Sequence, residues 1–447
     1  MKKLRIGSGA GYAGDRLEPS IELIEKGDLD YICYECLAER TIAIAQQNKL
    51  KDPNKGYNEL LEYRMEKALP AAFKRGVKII TNMGAANPES AAEVVRAIAL
   101  KHGLKGMKIA AVIGDNVFDN LDKYMDLEVW ETGEKLKDLD GEIISANAYL
   151  GIDGIVEALR QGADVVLTGR VSDPALFLAP LVYEFGWSFD DYDKMGKGTL
   201  AGHLLECAGQ ITGGYYADPG KKDVKDLWNL GFPLAVVDEE GNAVITKIDG
   251  TGGNIVEDTC KEQIVYEIHD PENYLTPDCI ADFSNVRVKQ IADDVVQVSG
   301  ATGKKKTDFY KVSLGYKDCF IGEGEISYGG PNCLERAKLA LDIVNKRLAI
   351  QNVVLDEERY DIIGINSLFN DNPDHYQSPR EVRIRVAGRT KIKADAIKVG
   401  NEVETLYTNG PAGGGGATKG VSEIISVASI LIPKEDITSH VVIKEVL

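Results

Sequence analysis

The feature that most constrains the fold is a regular alternation of short apolar runs with helical stretches in the first half of the 447-residue chain. The stretches between the runs are helical in pattern. In residues 88–103, for example, apolar residues recur at helical spacing, Pro88 suits the first turn and Gly103 suits the end. Strands separated by helices predict a parallel sheet with helices on both faces. Six runs rich in Val and Ile predict the strands: LRIGSG, LDYICYE, VKIITNMG, MKIAAVIGD, EIISANAY and ADVVLTGR.

The pattern changes after about residue 200. Short alternating runs with turn glycines predict further strands, and a helix is predicted near residues 331–349. We therefore expect an α/β domain with glycine-rich cleft loops over residues 1–215. An α+β domain with a C-terminal glycine-rich loop is expected over residues 216–447.

Charge and cysteine content limit the class of protein. The net charge of −18 disfavours binding to nucleic acid or to an anionic membrane surface, because both need a basic footprint. Seven cysteines without regular spacing do not form a disulfide framework. No apolar run of 18 residues occurs, and no apolar signal segment follows the first lysines. We expect a cytoplasmic protein that forms a homo-oligomer.

The stretch GSGAGYAGDR follows the first predicted strand and invites comparison with a dinucleotide-binding turn. That fingerprint needs a glycine at position 12, where this chain has Tyr12. The glycines are then interpreted in one of two ways. Either backbone at Gly9 and Gly11 approaches an anionic group, with Asp15 and Arg16 projecting into a cleft, or the segment is only a tight strand-to-helix turn.

Two residues follow the sixth predicted strand in the sequence TGRVSDP. Arg170 can hold a carboxylate or a thioester oxygen, and Asp173 can act as a base. The alternative is that Asp173, which precedes Pro174, caps the next helix. Because ligands of parallel sheets bind at the carboxyl ends of strands, we expect this segment to share a cleft with GSGAGYAGDR, TNMGAANPES and residues 114–116.

The helical segment GHLLECAGQ places His203 and Glu206 three residues apart on one face. Such a pair can supply an acid and a base together, or it can hold a divalent metal ion. A half-buried pair with no chemical role is the alternative. His269, in a turn-rich segment, is considered as a further residue of the site. Backbone amides of Gly413, Gly414 and Gly415 are considered as an anion-binding nest.

Taken in order, these motifs resemble the acyclic terpene utilisation (AtuA) family along nearly the whole chain. The segments GSGAGYAGDR, GVKIITNMGAANP, VLTGRVSDPAL, GHLLECAGQITGGYYADPG and GPAGGGG carry the resemblance. It implies a cytoplasmic catabolic protein connected with branched isoprenoid acids as CoA thioesters. It also marks a site location without assigning roles. The family's motif positions in this chain include Gly9, Gly11, Asp15, Arg16, Asn82, Asn87, Arg170, Asp173, His203, Glu206 and the glycines at 413–416.

The predicted function is that of a lyase of the hydratase or dehydratase type, acting on a branched or unsaturated carboxylic acid or its CoA thioester. This chemistry needs a base, an acid and donors for an enolate oxygen. We assign the first two to His203 with Glu206 and the third to Arg170 and the amides of residues 7–11; Asp15 and Asp173 are further catalytic candidates. Gly9, Gly11, Arg16, Asn82, Asn87, His269, Gly413, Gly414 and Gly415 are predicted to bind substrate.

Three alternatives remain open at this point. In the first, the chain is a non-catalytic subunit that binds CoA or a carboxylate, and a second small subunit is expected. A carbon–carbon lyase acting on a 3-hydroxyacyl-CoA needs similar groups. A nicotinamide-dependent dehydrogenase is the third alternative.

Overall fold

The computed structural model describes residues 2–369 and 379–447 of the chain. It divides into two compact units. The first comprises Met1–Leu139, Ile143–Gly315 and Val427–Leu447, and the second comprises Asp140–Glu142 and Tyr316–Ser426. Residues 215 and 216, the expected domain boundary, both lie inside the first unit.

Helices and strands largely alternate through the first 185 residues, as the sequence predicts for the first half of the chain. The helices of the first unit are α1 (Glu18–Lys26), α2 (Glu39–Lys51), α3 (Leu61–Arg75), α4 (Pro88–Lys101), α5 (Asp153–Arg160), α6 (Ala175–Phe185), α7 (Tyr192–Leu205) and α8 (Glu257–Val265). Its strands up to α6 are β1 (Lys3–Ala10), β2 (Tyr31–Tyr34), β3 (Lys78–Thr81), β4 (Lys108–Ile113), β5 (Glu142–Ala148) and β6 (Val165–Thr168). The later strands are β7 (Pro233–Asp238), β8 (Ala243–Lys247), β9 (Tyr274–Leu275), β10 (Ile280–Asp282), β11 (Arg287–Ala292), β12 (Val295–Ser299) and β13 (Thr302–Lys304).

One large sheet organises this unit, in the order β11-β12-β8-β7-β1-β2-β3-β6-β4-β18, where β18 is His440–Glu445. The five central strands β1, β2, β3, β6 and β4 are parallel. Strands β7, β8, β12 and β11 extend the sheet antiparallel on one side, and β18 pairs antiparallel with β4 on the other. The mixed α/β class expected from the sequence is confirmed. Strands β7, β8, β11 and β12 all follow residue 216 and join this sheet, while β13, β10 and β9 form a small separate sheet, so the first unit continues past the expected boundary.

Strand β5 departs from the expectation of a six-stranded parallel sheet. It lies outside the large sheet and pairs with β14 (Phe309–Gly329). The reason lies in its connection, because the chain between β4 and β5 forms short 3₁₀ turns at Phe118–Tyr124 and Leu136–Asp138. A strand returns to a parallel sheet through a crossover, usually a helix, and these turns do not provide one.

Helix α4 shows how local sequence sets an element. Asn87 caps it by accepting a hydrogen bond from the Ser90 amide at 3.4 Å, and Pro88 occupies the first turn. Gly103, just beyond the end, has a φ of +68°, which favours glycine. The apolar side chains of the helix, including Val95 and Ala99, are buried in the core of the first unit.

The second unit is an antiparallel sheet covered by helices. Its sheet order is β15-β16-β14-β17, with β15 at Glu357–Ile363, β16 at Glu381–Thr390 and β17 at Gly414–Pro433. Helices α9 (Cys333–Ile350) and α10 (Lys393–Glu404) supply side chains to its apolar core, and α11 (Leu406–Asn409) follows them. Pairs such as Arg385 Nη2 with Glu323 Oε2, 2.8 Å apart, join β16 to β14 across the sheet.

The glycines after β1 allow close packing at the end of the strand. A Cβ at Gly9 would lie 2.5 Å from the ring of Tyr34, and one at Gly11 would lie 2.7 Å from Cα of Cys207. We predict that Gly11→Ala lowers the free energy of unfolding by about 1–3 kcal/mol, because the contact at Gly11 is to backbone that has no rotamer to change. Urea unfolding measures this.

Gly415→Ala is the matched control. No atom lies within 4 Å of its added Cβ, and Gly415 has no positive φ. Its free energy of unfolding should stay within about 0.5 kcal/mol of the parent value. Equal losses in both variants would show that the close approach at Gly11 is unimportant.

Candidate functional site

A cavity of about 1340 Å³ opens within the first unit at the carboxyl ends of the central strands. Gly11 and Asp15 follow β1, Glu35 follows β2, and Arg170 follows β6. Parallel strands end at the same edge of a sheet, so short segments far apart in sequence meet there. Its ionisable and hydroxyl-bearing lining includes Asp15, Arg16, Glu35, Glu39, Tyr149, Arg170, Ser172, Asp173, Glu206, Glu267, Tyr274 and Lys311.

Arg170 lines the cavity and is only 2% exposed. Its Nη1 donates to the Leu37 carbonyl oxygen, and its Nη2 donates to Asp173 Oδ1 at 2.8 Å. The guanidinium carbon lies 4.1 Å from the ring centre of Tyr149. The Arg170 main-chain amide donates to Asp115 Oδ2, which anchors the loop after β6. Burial works against the Arg170 charge, but the surrounding acidic groups raise its pKa above the ordinary value.

Glu35 is a buried carboxyl group directly after β2. Its Oε1 accepts hydrogen bonds from the Leu37 amide at 2.9 Å and from Asn82 Nδ2 at 3.0 Å. Burial raises the pKa of Glu35 well above its ordinary value, the negative charge of Asp173 raises it further, and these hydrogen bonds oppose the rise. Asp173 also has a raised pKa because burial outweighs the attraction of Arg170. Glu35 and Asp173 therefore keep a proton at a higher pH than exposed acids do.

Glu39, at the start of α2, behaves in the opposite way. Burial alone would raise its pKa, but Arg170, the Tyr149 hydroxyl and Lys311 together hold it below the ordinary value. Tyr149 donates its hydroxyl hydrogen to Glu39 Oε1. Lys311 Nζ lies 3.7 Å from the same oxygen and 4.9 Å from the Tyr149 ring centre. Glu39 is thus an ionised carboxylate on the cavity wall.

Glu206 and His203 form a buried pair at the end of α7. His203 Nδ1 and Glu206 Oε1 are 2.7 Å apart, and the His203 ring packs against the rings of Tyr274 and Phe283. Burial raises the pKa of Glu206 to about 7, against the influence of His203. The position at the C-terminal end of the helix adds to this, because the helix dipole disfavours a negative charge there. Glu206 lines the cavity, and its Oε2 has no hydrogen-bond partner among the described residues.

The mouth of the cavity is apolar. Several large side chains that line it are well exposed, among them Tyr215 at 95% and Trp130 at 66%. Tyr12, Leu275 and Phe309 are exposed in the same way. Exposed apolar side chains scattered singly are ordinary, but a group of them around one opening indicates a surface that contacts a ligand.

The structure brings six of the predicted site residues to the cavity: Gly11, Asp15, Arg16, Arg170, Asp173 and Glu206. Two others support them, because Asn82 holds Glu35 and His203 holds Glu206. Asp15 Oδ2 accepts from the Gly11 amide, so this amide is already occupied. Gly9 packs against Tyr34.

The remaining predicted residues lie elsewhere. Asn87 caps α4 and donates to the carbonyl oxygens of Pro53 and Lys55. His269 is exposed in the loop between α8 and β9. Gly413, Gly414 and Gly415 belong to the second unit, where β17 begins.

Sequence reasoning did not select Glu35, Glu39, Tyr149 or Glu267 as site residues. The sequence could have identified Glu35 as a site residue, because it follows β2 directly and ligands bind at the carboxyl ends of parallel strands. Tyr149 follows β5, which was expected inside the large sheet. Glu267 stands in a turn with a φ of +58°, and nothing in its neighbours signals the cavity.

Among the residues that the structure describes, no group of three or more His, Cys, Asp or Glu side chains is placed so that it could hold a metal ion. His203 and Glu206, the pair considered as ligands, contact each other directly. In residues 2–369 and 379–447, no helix is long and apolar enough to cross a membrane.

Comparison with known protein families identifies a matching family model. The model described as "Acyclic terpene utilisation family protein AtuA" matches residues 4–443. The chain belongs to the AtuA family. This confirms the resemblance carried by the sequence motifs, and it covers the cavity and both units. No curated protein and no solved structure matches the chain. Membership in the AtuA family therefore associates the chain with acyclic terpene utilisation.

Proposed function

We propose that this chain is an enzyme, a lyase of the hydratase or dehydratase type, that acts on a branched or unsaturated carboxylic acid or its CoA thioester. One observation carries the proposal: Glu206 and Glu35, two buried acids with raised pKa values, line the same cavity. Elimination of water needs a protonated group beside the departing hydroxyl, and an acid with a pKa near 7 holds such a proton at neutral pH.

Glu206 is the proposed general acid. Its Oε2 is buried and has no hydrogen-bond partner among the described residues, and we assign the proton transfer to this oxygen. His203 keeps the other oxygen in place and exchanges protons with it. Removal of the α-proton requires an ionised base, and Glu39 is the cavity carboxylate whose pKa is lowered.

A donor is also needed for the enolate oxygen that forms when the α-proton leaves. The Arg170 Nη atoms already donate to Leu37 and Asp173, and the Gly11 amide donates to Asp15. Ser172 lines the cavity, and its hydroxyl has no partner among the described residues. We assign the role of donor to Ser172, in place of Arg170 and the amides of residues 7–11.

The experiment follows water addition and proton exchange separately. Purified protein is incubated in D₂O with a panel of branched α,β-unsaturated acids and their CoA thioesters, with and without a divalent metal ion. Enoyl absorbance reports water addition, and mass spectrometry reports deuterium at the α-carbon. We expect both signals with at least one member of the panel. If neither appears with any member, the chain is not a stand-alone lyase of this kind, and activity restored by a second subunit would favour the binding-subunit alternative.

A further inference from the structure

One edge of the sheet in the second unit is unpaired. Strand β17 is the last strand in the order β15-β16-β14-β17, and its neighbour among the described residues is β14. All six residues of its segment 418–423, TKGVSE, are exposed, whereas a strand with one face on a core exposes every second residue. A Cβ at Gly420 would have no atom within 4 Å. The outer edge of this segment is therefore open to another strand.

The hydrogen bond of Ala417 shows which residues of β17 point outward. Its amide donates to the Tyr407 hydroxyl of α11 at 2.9 Å, so it points away from β14. In a β-strand the N–H and C=O of one residue point to the same side, and every second residue repeats this direction. Lys419, Val421 and Glu423 therefore present their main-chain donors and acceptors to the open edge.

The usual protections of an edge strand are missing from this segment. Proteins commonly block such an edge with a proline or with a lysine that projects across it. No proline occurs in residues 412–432. Lys419 is the one cationic residue of TKGVSE, and its Nζ donates to Glu404 Oε2 and to Asn401 Oδ1 on α10. Because its ammonium group is held over the helix, Lys419 does not guard the edge.

The segment is complementary to a second copy of itself. Lys419 and Glu423 lie two residues on either side of Val421. If two copies of β17 lie antiparallel with Val421 on the twofold axis, Lys419 of each copy faces Glu423 of the other, and the two Val421 side chains face each other. Opposite charges directly across a strand pair are stabilising, and a twofold axis makes each contact twice.

The outward direction of Lys419, Val421 and Glu423 also selects this register. Hydrogen-bonded pairs must join residues that point to the shared edge in both copies. Other registers pair one of these residues with Ala417, whose amide already donates to a side chain, or with Ile425, which is buried. The register centred on Val421 pairs the three exposed residues with one another.

Exposed apolar side chains lie beside the same edge. Val421 is 37% exposed and Ile397 is 43% exposed. Ile397 lies on the face of α10 that carries Asn401 and Glu404, the two residues that reach Lys419. A twofold axis perpendicular to the sheet places the α10 helices of both copies on the same face of the joined sheet, where these side chains add apolar area.

We propose that a second copy of this chain docks on β17, with the two β17 strands antiparallel and Val421 on the twofold axis, so that the four-stranded sheets of the two copies become one continuous sheet. Each of the three facing pairs exchanges two main-chain hydrogen bonds. The inference goes beyond the proposed function and does not depend on the reaction. It gives the homo-oligomer expected from the sequence a specific surface.

Sedimentation velocity over about 1–100 μM protein tests the dimer, since association depends on concentration. The parent chain should sediment at twice the chain mass. Val421→Lys places two ammonium groups side by side on the axis and should raise the Kd of the dimer at least about 10-fold. Val354→Lys, at a valine of the second unit that is 61% exposed and lies outside β17, is the matched control and should leave the dimer unchanged. Thermal unfolding followed by circular dichroism shows that each variant is folded.

An exchange of charges tests the register. Lys419→Glu and Glu423→Lys each place like charges opposite one another, so each variant alone should be monomeric. Mixed in equal amounts, with a fluorescent label on one of them, they should form a mixed dimer, because every facing charged pair then joins a lysine to a glutamate. Recovery of the dimer on mixing also shows that both variants are folded.

Each result decides for or against the interface. Loss of the dimer in Val421→Lys, its retention in Val354→Lys and association of the mixed charge variants support it. A parent chain that is monomeric at every concentration overturns it. A dimer that Val421→Lys leaves intact also overturns it, because the copies then associate through another surface, and so does a failure of the mixed charge variants to associate.

Discussion

Glu206→Gln is expected to lower kcat/KM about 10²- to 10⁴-fold on whichever substrate of the panel is turned over, because glutamine cannot supply a proton to a departing hydroxyl. The pH profile carries a second signature. A general acid must be protonated, so the rate of the parent protein should fall as the pH rises through about 7, the pKa to which burial raises Glu206. Stopped-flow or steady-state rates between pH 5.5 and 9 measure both effects.

The variant should fold normally, since glutamine retains an oxygen at the His203 contact and removes a buried ionisable group. Glu25→Gln, an exposed acid on α1, is the control and should keep the full rate and the parent pH profile. A Glu206→Gln protein with normal activity, or with the same decline in rate above pH 7, would show that another group is the acid.

Arg170→Ala is expected to lower the free energy of unfolding by about 2–4 kcal/mol at pH 7.5, because it leaves the buried Glu35 and the half-buried Glu39 and Asp173 without their positive neighbour. Arg170 is 2% exposed, and its charge acts on Glu35, Glu39 and Asp173. The loss should shrink at pH 5, where Glu35 and Asp173, whose pKa values are raised, take up protons and need less compensation. Urea unfolding at the two pH values measures the difference.

Arg160→Ala is the control for this experiment. Arg160 is exposed on α5, 4.0 Å from Glu157, so its replacement should change the free energy of unfolding by less than about 1 kcal/mol at either pH. If Arg170→Ala lowers the free energy of unfolding no more than Arg160→Ala does, the acids around Arg170 are solvated and the positive charge of Arg170 does not stabilise them.

The fold class was predictable because hydrophobic periodicity and turn residues are local signals. They identified α4, β2 and β6. Two features were not predictable from such signals. The position of β5 depends on its partner β14, more than 160 residues away, and the edge strand β18 joins the large sheet only after the chain has formed the second unit. Strand pairing over such distances leaves no local pattern in either partner.

The candidate site was predictable where a residue follows a central strand. Asp15, Arg170 and Asp173 were selected in this way and line the cavity. Glu267 was missed because it comes from a loop whose place depends on packing that no pattern of residues reveals. Glycine runs were the least reliable guide, since the run at 413–416 begins a strand of the second unit.

The order of segments in the first unit has a consequence for biosynthesis. Strand β4 is completed by residue 113, but its antiparallel neighbour β18 is made only after residues 316–426 have been synthesised. Throughout that interval the nascent chain has an unpaired edge on β4, and such edges pair readily with other chains. This unpaired edge therefore makes the nascent chain vulnerable to aggregation on the ribosome until β18 has been made.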